Sequence, residues 1–189
     1  MALAHLSDLD QYCATGTPAG AQPDDPRTFY SPVDDDHAAL VALADSATQS
    51  LIVAMYGFDD QDLADIIRTK LADPNIFVQL TLDSSQANGV HERTLLAAEN
   101  YPSSSIAIGQ SERGAIMHMK VMIIDGLDVV DGSTNWSTSG ESKQDNQLSV
   151  TRSAVKAGLA RARIDAIHTH MLQASGSSGT TAAARNAVA

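Results

Sequence analysis

The chain has 189 residues, 43% of them apolar, and a formal charge of −11. That length suits one globular core and is short for two, and no apolar run approaches the roughly eighteen residues that a membrane-spanning helix requires. The excess of acid opposes a general nucleic-acid surface, because phosphate contacts draw on Lys and Arg. It is unevenly spread, however: residues 1–112 hold 17 Asp and Glu against 4 Lys and Arg, whereas residues 113–189 hold 6 against 8.

Residues 1–26 carry the breaker-rich stretch PAGAQPDDP and no lasting apolar period, which predicts a flexible arm. They also lack a basic patch followed by an apolar core, so the expected location is the cytoplasm, or outside it if a leader has been removed. Cys13 is the only cysteine, so no intrachain disulfide is available, and an incidental thiol is expected.

The sequence then predicts a strand at TFY before Ser31-Pro32, and a helix through residues 37–48 capped from Asp34, Asp35 and Asp36. A solvated helix start is a better reading of those three acids than a metal site. LIVAMYGF is too continuously apolar for a half-exposed strand and predicts one covered on both faces. DDQDLADIIRTKL predicts a helix, IFVQLTLD a strand, VHERTLLAAEN a helix and SIAIG a short strand. KVMIID and LDVV predict two strands around Gly126, and a loop from Gly132 to Asn146 leads to the strand QLSVT. A long helix closes the pattern, with Val155, Leu159, Ile164, Ile167 and Leu172 on roughly one side, before a small, polar tail. The fold class is therefore α/β, a mixed, largely parallel sheet flanked by helices. One domain is expected over residues 27–173, with a disordered tail at 174–189.

The chemistry concentrates in residues 118–135, HMKVMIIDGLDVVDGSTN. His118 and Lys120 are two apart at a strand start, so their side chains leave one face and converge. A Gly132-Ser133 turn ending at Asn135 adds a hydroxyl and a carboxamide. Phosphoryl transfer needs cationic and hydrogen-bonding donors around the phosphate and a nucleophile in line with the leaving oxygen. Lys120 supplies charge and Ser133 and Asn135 supply donors. An imidazole, with an ordinary pKa near 6.5, attacks when neutral or protonates a leaving alkoxide when charged.

The spacing H-x-K-x-x-x-x-D, then six residues and G-S-x-N, resembles the signature of the phospholipase D superfamily, with His118, Lys120, Asp125, Gly132, Ser133 and Asn135 in place. Phe29-Tyr30-Ser31-Pro32, Ala54-Met55-Tyr56 and Asp83-Ser84-Ser85-Gln86 are similar to the flanks of its small bacterial endonuclease-like branch. The likeness covers roughly residues 28–172. Asp145-Asn146 stands where the family carries an acid followed by Asn, with Asp for the commoner Glu. Larger members hold two copies of the motif in one chain; this chain has one, since His168-x-His170 lacks the lysine.

The resemblance therefore implies a homodimer with a composite site. One subunit's His118 forms a covalent phosphohistidine, and the other protonates the departing oxygen and later activates water. Asp125 or Asp145 orients an imidazole. Two lysines and two asparagines neutralise the phosphate, so neither metal nor other cofactor is expected. His168 and His170 point about 200° apart on a helix and do not readily share an ion.

Structural readings stand beside these. Asp125 can cap the Gly126 turn, and Trp136 can stack on a base, enter a lipid surface or pack against the loop. Arg113 and Lys143 are candidate substrate contacts, whereas His37 and His91 are expected at the surface without partners. The substrate expected first is nucleic acid, DNA or RNA, cleaved without sequence preference. The alternatives are a phospholipid or cardiolipin-type headgroup, for which no amphipathic anchor is evident, and a phosphate-binding module without catalysis.

Overall fold

The computed structural model describes residues 2–86 and 102–186, with side chains described to Ser175. The helix expected at VHERTLLAAEN, with His91, lies outside the described residues.

Seven strands form one sheet: β1 (Arg27–Ser31), β2 (Ser50–Met55), β3 (Phe77–Asp83), β4 (Ile106–Gly109), β5 (Lys120–Ile124), β6 (Asp128–Gly132) and β7 (Asn146–Arg152). Their order is β1-β7-β6-β5-β2-β3-β4. The sheet is mixed, as expected, but the balance is not largely parallel. Only β2–β3 and β3–β4 run parallel, and the other four pairings are antiparallel. Parallel neighbours need a long crossover, which helix α2 (Gln61–Ala72) supplies between β2 and β3, whereas β5 and β6 are joined through a tight turn.

β2 explains the architecture. Leu51, Val53 and Met55 face a core that includes Leu40 and Leu43 of α1 (Asp36–Ser46) and Leu63 and Ile67 of α2. Ile52 and Ala54 face a second core with Ile164, Ile167 and Met171 of the last helix. Alternate side chains thus enter opposite layers, so an unbroken apolar run is required. Asp35 and Asp60 cap α1 and α2 by accepting from Ala38 N at 3.0 Å and Leu63 N at 2.7 Å.

Two short pieces depart from expectation. The loop from Gly132 to Asn146 contains a five-residue helix, α3 (Thr138–Ser142), started by the Ser137 hydroxyl accepting from Gly140 N. The final helix, α4 (Ala154–Asn186), continues into the stretch whose composition predicts disorder; no proline stands in that stretch to stop it. Its apolar stripe also divides, since Val155 and Leu159 are 76% and 72% exposed while Ile164 and Ile167 are buried.

The N-terminal segment is docked, not loose. Residues Leu6–Tyr12 form a 3-10 turn that places Leu6 and Leu9, three apart and thus on one face, in the core at 0% and 1% exposure. Arg27 Nε donates to Asp10 at 2.6 Å, Arg152 Nη1 donates to Asp24 at 2.9 Å, and Asp34 accepts from Ala14 N at 2.8 Å. Two leucines are too few to form a visible period, which is why composition alone misjudges the segment. Leu9→Ala should lower the unfolding free energy by about 2–5 kcal/mol in a urea titration, the cost of a buried leucine. An unchanged midpoint would mean that the segment is an arm after all.

Candidate active site

The motif residues gather at one end of the sheet, and the tip of β2 holds them there. The β2–β5 ladder pairs Met55 with Lys120 and continues through Tyr56 N donating to Met119 O at 2.9 Å. One residue on, Gly57 O accepts from Trp136 N at 2.9 Å, and Asp59 N donates to Trp136 O at 2.6 Å. The two halves of the motif, 118–120 and 133–136, are thereby tied to consecutive residues of one segment.

His118 is exposed and Lys120 is 8% exposed. Lys120 Nζ stands 3.0 Å from His118 Nε2 and donates to His118 O at 3.2 Å. An ammonium has no acceptor, so a hydrogen bond between them requires the ring lone pair on Nε2. That is the atom an attacking imidazole needs. The Tyr56 ring lies beneath both groups, 4.6 Å from the imidazole centroid and 5.0 Å from Nζ. Burial lowers the Lys120 pKa from its ordinary value, so its charge is lost earlier than usual as pH rises.

Asp83, 1% exposed at the end of β3, fixes the approach to the motif strand. It accepts from Met117 N at 2.5 Å on one oxygen and from Ser85 N and Oγ, at 2.9 and 2.6 Å, on the other.

The glycine of G-S-x-N is required by space: a Cβ on Gly132 would land on the Gln147 carbonyl oxygen. Ser133 is engaged within the turn, donating to Asn146 Oδ1 at 2.9 Å and accepting from Gln147 N at 3.1 Å. Thr134 is buried and donates to Asp36 Oδ2 at 3.2 Å. Asn135 is half-buried against Gly57, where an added Cβ would come within 3.0 Å of its Cγ. Among the described residues no donor meets Asn135 Oδ1, so packing rather than hydrogen bonding holds that end of the carboxamide.

Several expected site residues lie elsewhere. Asp125 sits at the far end of β5, five positions beyond Lys120 and so about 16 Å along the strand. Its carboxylate accepts from Thr48 N and Oγ1, Gln49 N and Ser50 N at 2.7–3.1 Å. Burial raises its pKa, but these hydrogen bonds outweigh burial and the net shift is downward. It pins the α1–β2 connection and does not reach His118. Trp136 is 1% exposed and packs edge-on against Phe58 at 5.4 Å, so it is a core residue rather than a platform for a base or lipid. Asp145 is exposed in a depression it shares with Ser133, and among the described residues it makes no hydrogen bond to His118. Arg113 and Lys143 are exposed, Arg113 in the turn before the motif strand and Lys143 at the end of α3. His168 is buried, with its ring nitrogens 2.9 Å from Thr81 Oγ1 and 2.7 Å from Ser104 O, a packing residue.

Sequence reasoning did not single out Tyr56, Gly57 or Asp83 for these contacts, nor Asp36 and Thr134. It also placed His37 at the surface without partners. His37 is half-buried, and its Nδ1 lies 2.8 Å from Glu141 Oε2 and 2.9 Å from Asp60 Oδ2, with Nε2 3.2 Å from Asp62. The partners lie 23 to 104 residues away along the chain, beyond the reach of any local pattern.

The arrangement is that of an α/β domain which presents an imidazole and an ammonium from a strand start beside a glycine-serine turn. The chain belongs to the phospholipase D-like family: residues 40–167 match the family model described as cardiolipin synthase, PLD-like domain. It is 26% identical over 105 residues to a mitochondrial cardiolipin hydrolase of Chlamydomonas reinhardtii, covering 56% of this chain and 45% of that protein. The chain thus spans less than half the length of this curated relative. Its fold matches that of NucT from Helicobacter pylori with a TM-score of 0.62 at 23% identity, covering 79% of this chain and 96% of that one. The phospholipase D family member Nuc from Salmonella typhimurium matches with a TM-score of 0.60 at 23% identity, over 76% and 93% of the two chains. Phosphatidylserine synthase of Haemophilus influenzae gives 0.55 at 12% identity, over 86% and 43%.

Two substitutions test the division between site and scaffold. Asp125→Ala should cost about 1–3 kcal/mol of stability by removing the charge-assisted hydrogen bonds to Thr48, Gln49 and Ser50, while the folded variant keeps any phosphodiester cleavage the parent shows within about tenfold. A much larger loss of rate at unchanged stability would return Asp125 to the chemistry. Asp36 is fully buried, and burial raises its pKa to about 6. The folded protein therefore holds that proton more tightly than the unfolded chain, and stability falls as pH rises from the unfolded pKa near 4 to about 6. Asp36→Asn removes this penalty, so its melting temperature relative to the parent should rise between pH 4.5 and 7.5; a difference independent of pH would contradict the assignment.

Proposed function

We propose that the chain is a metal-independent phosphodiesterase that cleaves nucleic acid, DNA or RNA, without sequence preference, through a phosphohistidine at a site shared by two copies of the chain. The observation that carries this reading is the pairing of His118 Nε2 with Lys120 Nζ at 3.0 Å on an exposed strand end, next to the turn that bears Asn135. His118 Nε2 attacks phosphorus, a phosphorus–nitrogen bond forms, and the bond to the leaving oxygen breaks. Lys120 and Asn135 hold the non-bridging oxygens, whose charge grows in the transition state. The departing oxygen takes its proton from a second imidazole, which then removes a proton from the water that releases the phosphate.

One chain supplies one such imidazole beside one ammonium. A twofold axis that brings two motif strands together would supply the second set, and such an interface is isologous. Arg113 and Lys143 are proposed to contact the substrate backbone beyond the scissile group. Ser133, already donating and accepting within the turn, acts chiefly by shaping it. Asp145 is proposed as a contact at the rim.

Nucleic acid is favoured as the substrate because the motif and flanks resemble the small single-motif branch. A phospholipid or cardiolipin-type headgroup is the second reading, supported by the name of the curated relative and of the matching family model. Among the described residues no helix is long and apolar enough to cross a membrane.

The test is a panel of substrates assayed in EDTA: plasmid DNA, single-stranded DNA, RNA, a chromogenic bis-phosphodiester and cardiolipin vesicles. Plasmid nicking that survives the chelator, loses about 10³-fold or more in His118→Ala, and comes from a species that scatters light as a dimer is the expected outcome. Turnover of vesicles alone would give the lipid reading, and phosphate binding without turnover of anything would leave a recognition module. An active monomer would dispose of the composite site.

A further inference from the structure

A second polar cluster lies apart from His118, where three helix ends meet: His37 in the first turn of α1, Asp60 at the N-cap of α2 and Glu141 in α3. They line a cavity of about 450 Å³ together with Asp62, Thr138 and Ser142. One ligand atom from each of His37, Asp60 and Glu141 falls within 4.8 Å of the others.

With Glu141 ionised, the hydrogen-bonding arithmetic of this cluster does not close with protein groups alone. His37 Nδ1 faces two carboxylate oxygens at once, Glu141 Oε2 at 2.8 Å and Asp60 Oδ2 at 2.9 Å, yet a ring nitrogen carries at most one hydrogen. The Glu141 side chain is 2% exposed, and no donor reaches its Oε1 among the described residues. Asp60 commits Oδ1 to the α2 cap and leaves Oδ2 turned toward the imidazole.

We propose that His37 Nδ1, Asp60 Oδ2 and Glu141 bind one divalent cation, of the zinc rather than the magnesium type, at a site separate from the phosphodiesterase residues. An imidazole with two carboxylates is a nitrogen–oxygen donor set that suits zinc and leaves a fourth position to water. Magnesium takes oxygen ligands and keeps most of its waters, so a preformed three-ligand site with a nitrogen does not suit it. Asp62 supplies the outer partner: it faces His37 Nε2 at 3.2 Å, and a carboxylate on the far nitrogen is what fixes the orientation of a metal-bound imidazole. Tetrahedral bonds of about 2.0–2.1 Å place neighbouring donors roughly 3.3 Å apart. His37 Nδ1 therefore needs to draw back about half an ångström from each carboxylate, and its side chain, 37% exposed, has room to do so.

The site would tie the starts of α1 and α2 to α3, and so to the end of the turn that carries Asn135. Its role is to hold that turn in place rather than to touch the phosphate.

The experiment uses the full chain, stripped with a chelator and dialysed, and titrated with Zn²⁺ and with Mg²⁺ by calorimetry and thermal melting. One Zn²⁺ per chain should bind and, at a hundredfold excess over its dissociation constant, raise the melting temperature by about 5–10 °C. Millimolar Mg²⁺ should do neither. His37→Ala and Glu141→Gln should each weaken binding more than tenfold. Asp62→Asn, at a side chain 71% exposed where folding is not at stake, should weaken it by about 10–100-fold, and His170→Ala should change nothing. The proposal is overturned if Zn²⁺ gives neither heat nor a melting shift, if Mg²⁺ binds as well, or if Asp62→Asn and His37→Ala bind as tightly as the parent.

Discussion

The structure depends on one segment, the tip of β2 from Met55 to Asp59. Two stretches of chain that share no local contact in sequence meet on it: the start of β5 through Met55, Tyr56 and their ladder to Lys120 and Met119, and the turn after β6 through Gly57, Asp59 and Trp136. Position and geometry are set by different means. Backbone hydrogen bonds give the register, and the missing side chain of Gly57 gives the closeness, since a Cβ there would press on Asn135. Trp136, buried against Phe58, drives the turn down onto the sheet with the apolar area that Asn135 does not supply. Asn135 is thus held in place by its apolar neighbour in sequence.

The acidic composition has a structural explanation in part. Asp83 holds the approach to the motif strand, Asp36 holds Thr134, Asp125 holds the α1–β2 connection, Asp35 and Asp60 cap helices, and Asp10, Asp24 and Asp128 pair with Arg27 and Arg152. Many of these carboxylates are turned inward to backbone amides or guanidinium groups. The formal charge of −11 is therefore a poor measure of the field at the site. Charges separated by more than about 8–10 Å of solvent are largely screened at physiological salt, and the groups nearest the phosphate would be an ammonium and an imidazole.

Most elements were legible because their signals are local. The continuous apolar run of β2, the acid-started helix α2 and the two-residue spacing of His118 and Lys120 all lie within one window. Most of the failures are non-local. Whether a strand runs parallel depends on its connections, not on its own letters. Asp125 belongs to the motif by spacing, yet the extended strand that puts His118 and Lys120 together also carries Asp125 to its opposite end. Leu6 and Leu9 carry too little periodicity to reveal a docked segment, and His37 gains carboxylate neighbours from α2 and α3. Of the three readings open for Trp136, stacking on a base, entering a lipid surface or packing against the loop, its burial against Phe58 selects packing.

The same reasoning bears on why a single motif would need a partner. In-line displacement puts the attacking and leaving atoms on opposite sides of phosphorus, so one imidazole on one strand end serves one side. Among the described residues, Lys120 and Tyr56 lie beside His118, at 3.0 Å from Nε2 and 4.6 Å between ring centroids. His168, which falls in the next histidine-bearing stretch of the chain, is buried with its ring committed to Thr81 and Ser104. His37 is committed to three carboxylates. Neither is free to serve the far side, and the proposed composite site assigns that role to a second copy of His118.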